Sequence, residues 1–191
     1  MSRIVVTNHV TLDGVMQAPA GAEEDTRGGF RRGGWAAPRS DEVMMRELTK
    51  GMGQTGGLLL GRRTYQHFYS YWPYQTGNPF TDVLNNTQKY VASTTLSEPL
   101  PWMNSTLLGP DVPRAVAELR ARDGKDIVIL GSGELIRSLA RQDLIDEYVL
   151  LIHPVVLGTG TRLFGDSVAE FRLVDSVTTT TGVIIATYGR M

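Results

Sequence analysis

Gly56-Gly57-Leu58-Leu59-Leu60-Gly61-Arg62-Arg63-Thr64-Tyr65 is a short apolar run that ends in glycine and opens at once into two arginines and a threonine. Leu58 to Leu60 reads as a buried strand bounded by glycines, and residues 62–72 read as the helix that follows it. The first turn of such a helix presents free backbone N–H groups and the positive end of the helix dipole. Arg62, Arg63 and the Thr64 hydroxyl add donors at the same place, so the stretch is a candidate anion site that two arginines can grip bidentately. The competing reading is an arginine pair on a solvated helix face.

The same unit recurs downstream. Ile127-Val128-Ile129-Leu130 is apolar on both faces, as a strand inside a parallel sheet is, and it runs into Gly131-Ser132-Gly133 and a helix over residues 134–142 with Leu135, Ile136 and Leu139 inward. This turn has the first two glycines of G-x-G-x-x-G but lacks the third, and it lies late in the chain instead of on the first strand. The dinucleotide fingerprint therefore fails. Two roles remain open for these glycines: close backbone approach to an anion at a helix N-terminus, or simply the turn from strand to helix.

Upstream, residues 3–10 form a β-branched run that reads as a central strand, closed by the turn Thr11-Leu12-Asp13-Gly14. Residues 15–39 show no period of either kind. They hold Pro19, the acidic Glu23-Glu24-Asp25 and then Arg27-Gly28-Gly29-Phe30-Arg31-Arg32-Gly33-Gly34-Trp35, and a loop of that length is a lid, a binding loop or disordered. Phe30 and Trp35 argue that it packs on something. Ser40 and Asp41 start a helix whose Met44, Met45, Leu48 and Met52 share a core face and which Gly51 and Gly53 end.

Beyond the central stretch, residues 79–87 read as a short helix, 89–94 as a strand ending in the hydroxyls of Ser93 and Thr94, and Leu107-Leu108 as a further short strand. Asp111 caps a helix with Val112, Ala115, Val116 and Leu119 on one face. Residues 147–153 form a strand, 154–164 an irregular segment, and 171–174 and 178–188 closing antiparallel strands around Gly182. Strands alternate with helices first and pair antiparallel last. The fold class is α/β, with a mostly parallel central sheet and a C-terminal antiparallel hairpin.

At 191 residues, 41% hydrophobic and 20% charged, the chain can bury a core as one domain spanning residues 1–191. A net charge of -1 gives no overall pull toward nucleic acid or an acidic membrane. The absence of cysteine excludes thiol catalysis, thiolate metal sites and disulfides. Met1-Ser2-Arg3 before the first strand is too short for a signal peptide and no apolar run reaches membrane-spanning length, so a cytoplasmic location is expected and the sequons at Asn85 and Asn104 are chance matches. His9, His67 and His153 lack metal-ligand spacing, and no G-x-S-x-G elbow supports a serine hydrolase. Asp13, Asp41 and Glu42 are the acids nearest the expected ligand mouth, although a turn and a helix start also account for them.

Thr11-Leu12-Asp13-Gly14, Gly61-Arg62-Arg63-Thr64-Tyr65, Lys89-Tyr90-Val91-Ala92-Ser93-Thr94, Gly131-Ser132-Gly133-Glu134-Leu135 and the run from His153 through Gly158-Thr159-Gly160 to Phe164 occur in an order that resembles the dihydrofolate reductase-like superfamily. Within it the chain is similar to stand-alone relatives of the RibD C-terminal reductase domain. The resemblance spans nearly the whole chain and implies a three-layer fold with about eight strands, NADPH across their C-terminal edges, and hydride transfer to a pterin- or pyrimidine-type ring.

Position by position, it implies that Gly61, Arg62, Arg63 and Thr64 hold the 2′-phosphate and pyrophosphate, with Ser93 and Thr94 also at the 2′-phosphate. Gly131, Ser132, Gly133, Glu134 and Leu135 would form the turn over the pyrophosphate, and Val6 and Thr7 would face the nicotinamide. Asp13 and Asp41 become the candidate catalytic acids. Asp41 lies near, but not at, the acidic position of true dihydrofolate reductases, which argues against folate as the substrate. Phe30 and Trp35 would belong to a lid over the reacting rings.

The resulting expectation is an NADPH-dependent reductase of a small molecule, needing neither metal nor membrane. One rival is a nucleic-acid-binding module working through residues 27–35, against which stand the single copy, the preceding acids and the near-zero charge. Another is an inactive NADPH-binding sensor. A homodimer through the C-terminal region is expected, both from the β-forming run at 178–188 and from the resemblance, the alternative being that one chain covers these residues itself.

Overall fold

Leu58, Leu59 and Leu60 are at most 1% exposed because β2 (Thr55–Gly61) is flanked on both sides. β3 (Gln88–Ala92) and β5 (Asp126–Leu130) pair parallel to it, with Gly61 opposite Ala92 and Leu59 opposite Ile129. The computed structural model describes residues 1–166 and 168–191. Its sheet has eight strands in the order β4-β3-β2-β5-β1-β6-β8-β7, with β1 at Ile4–Thr11, β4 at Ser105–Leu107, β6 at Glu147–His153, β7 at Phe171–Thr178 and β8 at Ile184–Arg190. The α/β class and the antiparallel C-terminal pair are as the sequence pattern predicts.

The chain divides into two compact units. The first, Met1–Val5 with Thr49–Asp146, contains the parallel group β4-β3-β2-β5 and the helices α2 (Arg62–Tyr71), α3 (Pro79–Asn86), α4 (Val112–Arg120) and α5 (Gly133–Ala140). Two of these helices begin on a capping side chain: the Asn78 side chain accepts from the Phe80 N–H at α3, and Asp111 accepts from the Arg114 N–H at α4. α2 ends at Tyr71, and Pro73 lies in the 3-10 turn Trp72–Tyr74 that follows.

Lys89 is fully buried in this unit, and its Nζ donates to the carbonyls of Leu84, Asn85 and Thr87 at 2.8, 2.9 and 2.7 Å while lying 4.4 Å from the centre of the Trp102 ring. It serves the carbonyls that the end of α3 leaves without helical partners. Burial pushes this ammonium down to about 8.

The second unit, Val6–Leu48 with Glu147–Met191, holds the antiparallel ladder in which β8 pairs with β6 on one side and β7 on the other. Met44 packs on Leu151, Val183 and Ile185. Met45 and Met52 stay partly exposed, so the methionine stripe is only partly core.

Four sequence expectations shift. α1 (Glu42–Gln54) runs through Gly51 and Gly53, where an added Cβ would meet nothing, so these glycines weaken the helix without ending it. β3 stops at Ala92, leaving Ser93 and Thr94 beyond the strand, and the short strand lies at Ser105–Leu107 instead of Leu107-Leu108. Residues 179–183 are a turn and not strand, closed by the Thr179 N–H on the Val183 carbonyl and by Gly182 at φ 80°. Among the described residues no helix is long and apolar enough to cross a membrane.

Candidate functional site

In the first unit, β3, β2 and β5 run parallel and end side by side, so the residues that follow them share one edge. Those residues are Ser93-Thr94, Gly61-Arg62-Arg63-Thr64 and Gly131-Ser132-Gly133. Gly131 and Ser132 both take the left-handed conformation, with φ 57° and 55°. A side chain at Gly131 would press on Thr64 at 3.1 Å, which is the close approach that requires glycine there.

Ser132 tolerates its conformation because three hydrogen bonds fix it. Its N–H donates to Thr64 Oγ1 at 3.0 Å, its hydroxyl donates to the Leu130 carbonyl at 3.0 Å, and its Oγ accepts the Gly61 N–H at 3.0 Å. The turn is thus built across two strand ends. The Gly61 and Ser132 amides are consumed by it and are not available to a ligand, contrary to the simplest expectation from the sequence. Thr64 Oγ1 accepts one bond and keeps its own proton to donate.

What stays free are the first-turn amides of α2 and α5, which have no intrahelical acceptor. Arg62 contacts only the Gln66 side chain, at 3.2 Å, and neither Arg62 nor Arg63 has a carboxylate partner among the described residues. Ser93 Oγ accepts from the Thr95 and Leu96 amides at 3.1 and 3.0 Å, and Thr94 is exposed. Glu134 is tied to Arg137 at 2.6 Å, and Leu135 is buried beneath the turn. The edge concentrates donors and unpaired positive charge, and so suits an extended anion with more than one phosphate.

In the second unit the candidate acids prove to be anchors. The Asp13 carboxylate accepts from the Thr11 hydroxyl at 2.6 Å and from the Gly158 and Leu157 amides at 2.8 and 3.2 Å. The Thr11 hydroxyl first, with the two amides, holds its carboxyl down at about 2, so it stays ionised and cannot act as a general acid near neutral pH. Asp41 caps α1 through the Met44 N–H and also accepts from the Thr180 amide and hydroxyl at 2.7 and 2.6 Å, bonds that hold its carboxyl below the usual range, the Thr180 hydroxyl most. These bonds give both carboxylates structural work, as the turn and helix-start readings of the sequence expect.

The lid expectation is corrected too. Phe30 and Trp35 are buried with Val15, Ala18 and Ala36, and Val155 and Leu157 pack on them. Trp35 Nε1 donates to the Gln17 carbonyl, while buried Gln17 donates to the Asp25 and Arg27 carbonyls and accepts from Thr161. Val15, Ala18, Phe30, Trp35 and Ala36 thus form a small packed core within this segment, in which both aromatics are engaged. On β1, Val6 is fully buried, so of the two residues expected at the nicotinamide only Thr7 has surface to offer.

A pair that sequence reading passed over lies beside these elements. His9 Nδ1 and His153 Nε2 are 2.8 Å apart, and the edge of Trp35 meets the His153 ring with centroids 5.2 Å apart. Burial, and for His9 also the neighbouring His153, pushes each down to about 4; for His153 the charge of Arg39 adds to the effect. The available signal was a histidine inside each of two apolar strands. Their separation of 144 residues hid the pairing.

The family model for the RibD C-terminal domain matches residues 2–185. The Bacillus subtilis protein YyaP is 28% identical over 193 residues, covering 97% of this chain and 94% of its own. Among solved structures, a Shewanella sp. PV-4 protein described as a riboflavin biosynthesis protein superposes with a TM-score of 0.75 at 24% identity, covering 99% of both chains. The Thermotoga maritima diaminohydroxyphosphoribosylaminopyrimidine deaminase/5-amino-6-(5-phosphoribosylamino)uracil reductase superposes with a TM-score of 0.63 at 14% identity, over 100% of this chain and 57% of that one.

Proposed function

The chain belongs to the RibD C-terminal domain family, and from that premise we propose that it is an NADPH-dependent reductase of a pyrimidine- or pterin-type ring. The observation that carries the reading is the edge where β3, β2 and β5 end, with two first-turn helix amide sets, the Thr64 hydroxyl proton and two arginines without carboxylate partners. Such an edge fits a dinucleotide carrying an extra phosphate. Arg62 and Arg63 with Ser93 and Thr94 would hold the 2′-phosphate, and Gly133, Glu134 and Leu135 would offer backbone amides to the pyrophosphate. When bound, NADPH supplies a hydride. The protein's own part is orientation and charge.

With Asp13 and Asp41 engaged elsewhere, no side-chain carboxylic acid is assigned to the reaction. That observation also favours a second reading, a protein that binds NADPH without reducing a ring. Oxidation of NADPH at 340 nm in the presence of dihydropterin, 5-amino-6-(5-phosphoribosylamino)uracil and related acceptors separates the two readings.

The cofactor assignment is tested by titrating NADPH and NADH by fluorescence. NADPH should bind at least about tenfold more tightly, and Arg62→Ala should remove most of that preference, as expected for one charge-assisted phosphate contact. Equal affinities for the two nucleotides, unchanged in the variant, would refute it.

A further inference from the structure

Where the chain passes from α2 to α3, the first unit carries a hollow of about 500 Å³, walled by the turn from Gln75 to Pro79 and by Thr81 and Asp82. Thr81 is the odd member of that wall. The residue is 8% exposed, and its Oγ1 is a buried oxygen with no hydrogen-bond partner. Buried polar atoms are almost always paired, so a hydroxyl left in this way points to a group that completes it.

The other side chains of the wall say which kind of group. Asp82 has neither an ion pair nor a hydrogen bond among the described residues, and no lysine or arginine lines the hollow beside it. Gln75 donates its Nε2–H to the Tyr71 carbonyl at 3.3 Å, which leaves its Oε1 to accept. Thr76 is exposed, and its hydroxyl has no partner among the described residues. The wall is therefore rich in acceptors and carries one negative charge.

An anion finds little here. Pro79 has no N–H, and the Phe80 and Thr81 amides both go to Asn78, to its side-chain oxygen at 3.0 Å and its carbonyl at 3.1 Å. The start of α3 has thus spent the donors that an anion would need. A hard divalent ion is poorly served as well, because it draws on carboxylates from several side chains and no cluster of three His, Cys, Asp or Glu occurs among the described residues. An organic cation with several N–H donors fits better. A guanidinium has five in one plane, enough for a bidentate pair with Asp82 and for the neutral oxygens of Gln75, Thr76 and Thr81. Tyr74, the neighbour of Gln75, is 72% exposed and offers an open ring of the kind on which such a plane stacks.

We propose that this hollow binds a guanidinium group, carried by a small molecule or by an arginine of a peptide, with Asp82 as its counter-ion and the Thr81 hydroxyl as a neutral acceptor. The site lies wholly within the first unit and does not depend on the reductase reading.

The test is titration of nitrogen-15-labelled wild-type protein with agmatine at pH 7. Saturable shifts should centre on the amides of residues 75–82, with a Kd of about 1 mM, the strength that one charge pair with few other contacts reaches. N-butylurea, neutral and of similar size, should leave those amides in place. Asp82→Asn should weaken agmatine about tenfold, and Thr81→Val and Tyr74→Ala about fivefold each. The peptide acetyl-Gly-Arg-Gly-amide separates the two sources: tighter binding than agmatine assigns the site to a peptide arginine, and equal or weaker binding assigns it to a small molecule.

Equal shifts from N-butylurea overturn the proposal, as does calcium chloride that moves the same amides and displaces agmatine. So does wild-type agmatine affinity in Asp82→Asn. Tyr74 is exposed and its replacement leaves α3 intact, so unchanged affinity in Tyr74→Ala counts against the proposal even where Asp82→Asn fails to fold.

Discussion

The two histidines on neighbouring side chains of the second unit also make folding sensitive to acid. Both titrate at about 4 in the folded chain against 6.5 when free, so between these values the unfolded chain binds protons that the folded chain refuses. Their contribution is complete above pH 6.5 and is lost as the pH falls toward 4. For one histidine the loss amounts to about 3 kcal/mol, and the pair titrates as a unit. Urea unfolding at pH 7.5 and pH 4.5 should show a clearly lower midpoint in acid. The drop precedes that from Asp13, whose contribution is present above 3.8 and lost only toward 2. A midpoint indifferent to pH over 7.5 to 4.5 would mean that the pair is not held neutral.

Among the elements, the segment from Val15 to Arg39 departs furthest from its sequence reading. Trp35→Ala should cost about 3–5 kcal/mol, because the indole is buried against Phe30 and His153 and its N–H is bonded to Gln17. Calorimetry on the variant reads this directly, and a melting temperature equal to wild type would restore the idea of a loose lid. β2 with α2 and β5 with α5 were legible because each is one apolar run, one glycine and one amphipathic helix in immediate succession. The packing of residues 15–39 was not, since its partners Val155, Leu157 and Thr161 lie more than a hundred positions away. Asp13 illustrates the limit most plainly. An Asp-Gly turn looks alike whether the carboxylate faces a ligand or, as here, the amides of Leu157 and Gly158. The donor edge was readable in outline, but the Ser132 bonds that occupy two of its amides depend on contacts about seventy residues apart.

For the molecule as a whole, the expected state is a homodimer. β7 ends the sheet and is exposed along nearly its whole length, with Leu173, Val174 and, on β8, Ile184 among the large apolar side chains left open. A two-fold pair is the commonest way to cover such a face. Sedimentation at micromolar concentration should give twice 21.0 kDa, and Leu173→Asp with Ile184→Asp should return it to the monomer. A wild-type species at 21.0 kDa would rule the dimer out. The ladder of β7 on β8 slips in register between Leu173 and Asp175, skipping Val174, and Asp175 sets a charged carboxylate beside the slip in an otherwise β-prone run. An open edge kinked and charged in this way is a poor template for another strand, which disfavours edge-to-edge extension into fibres.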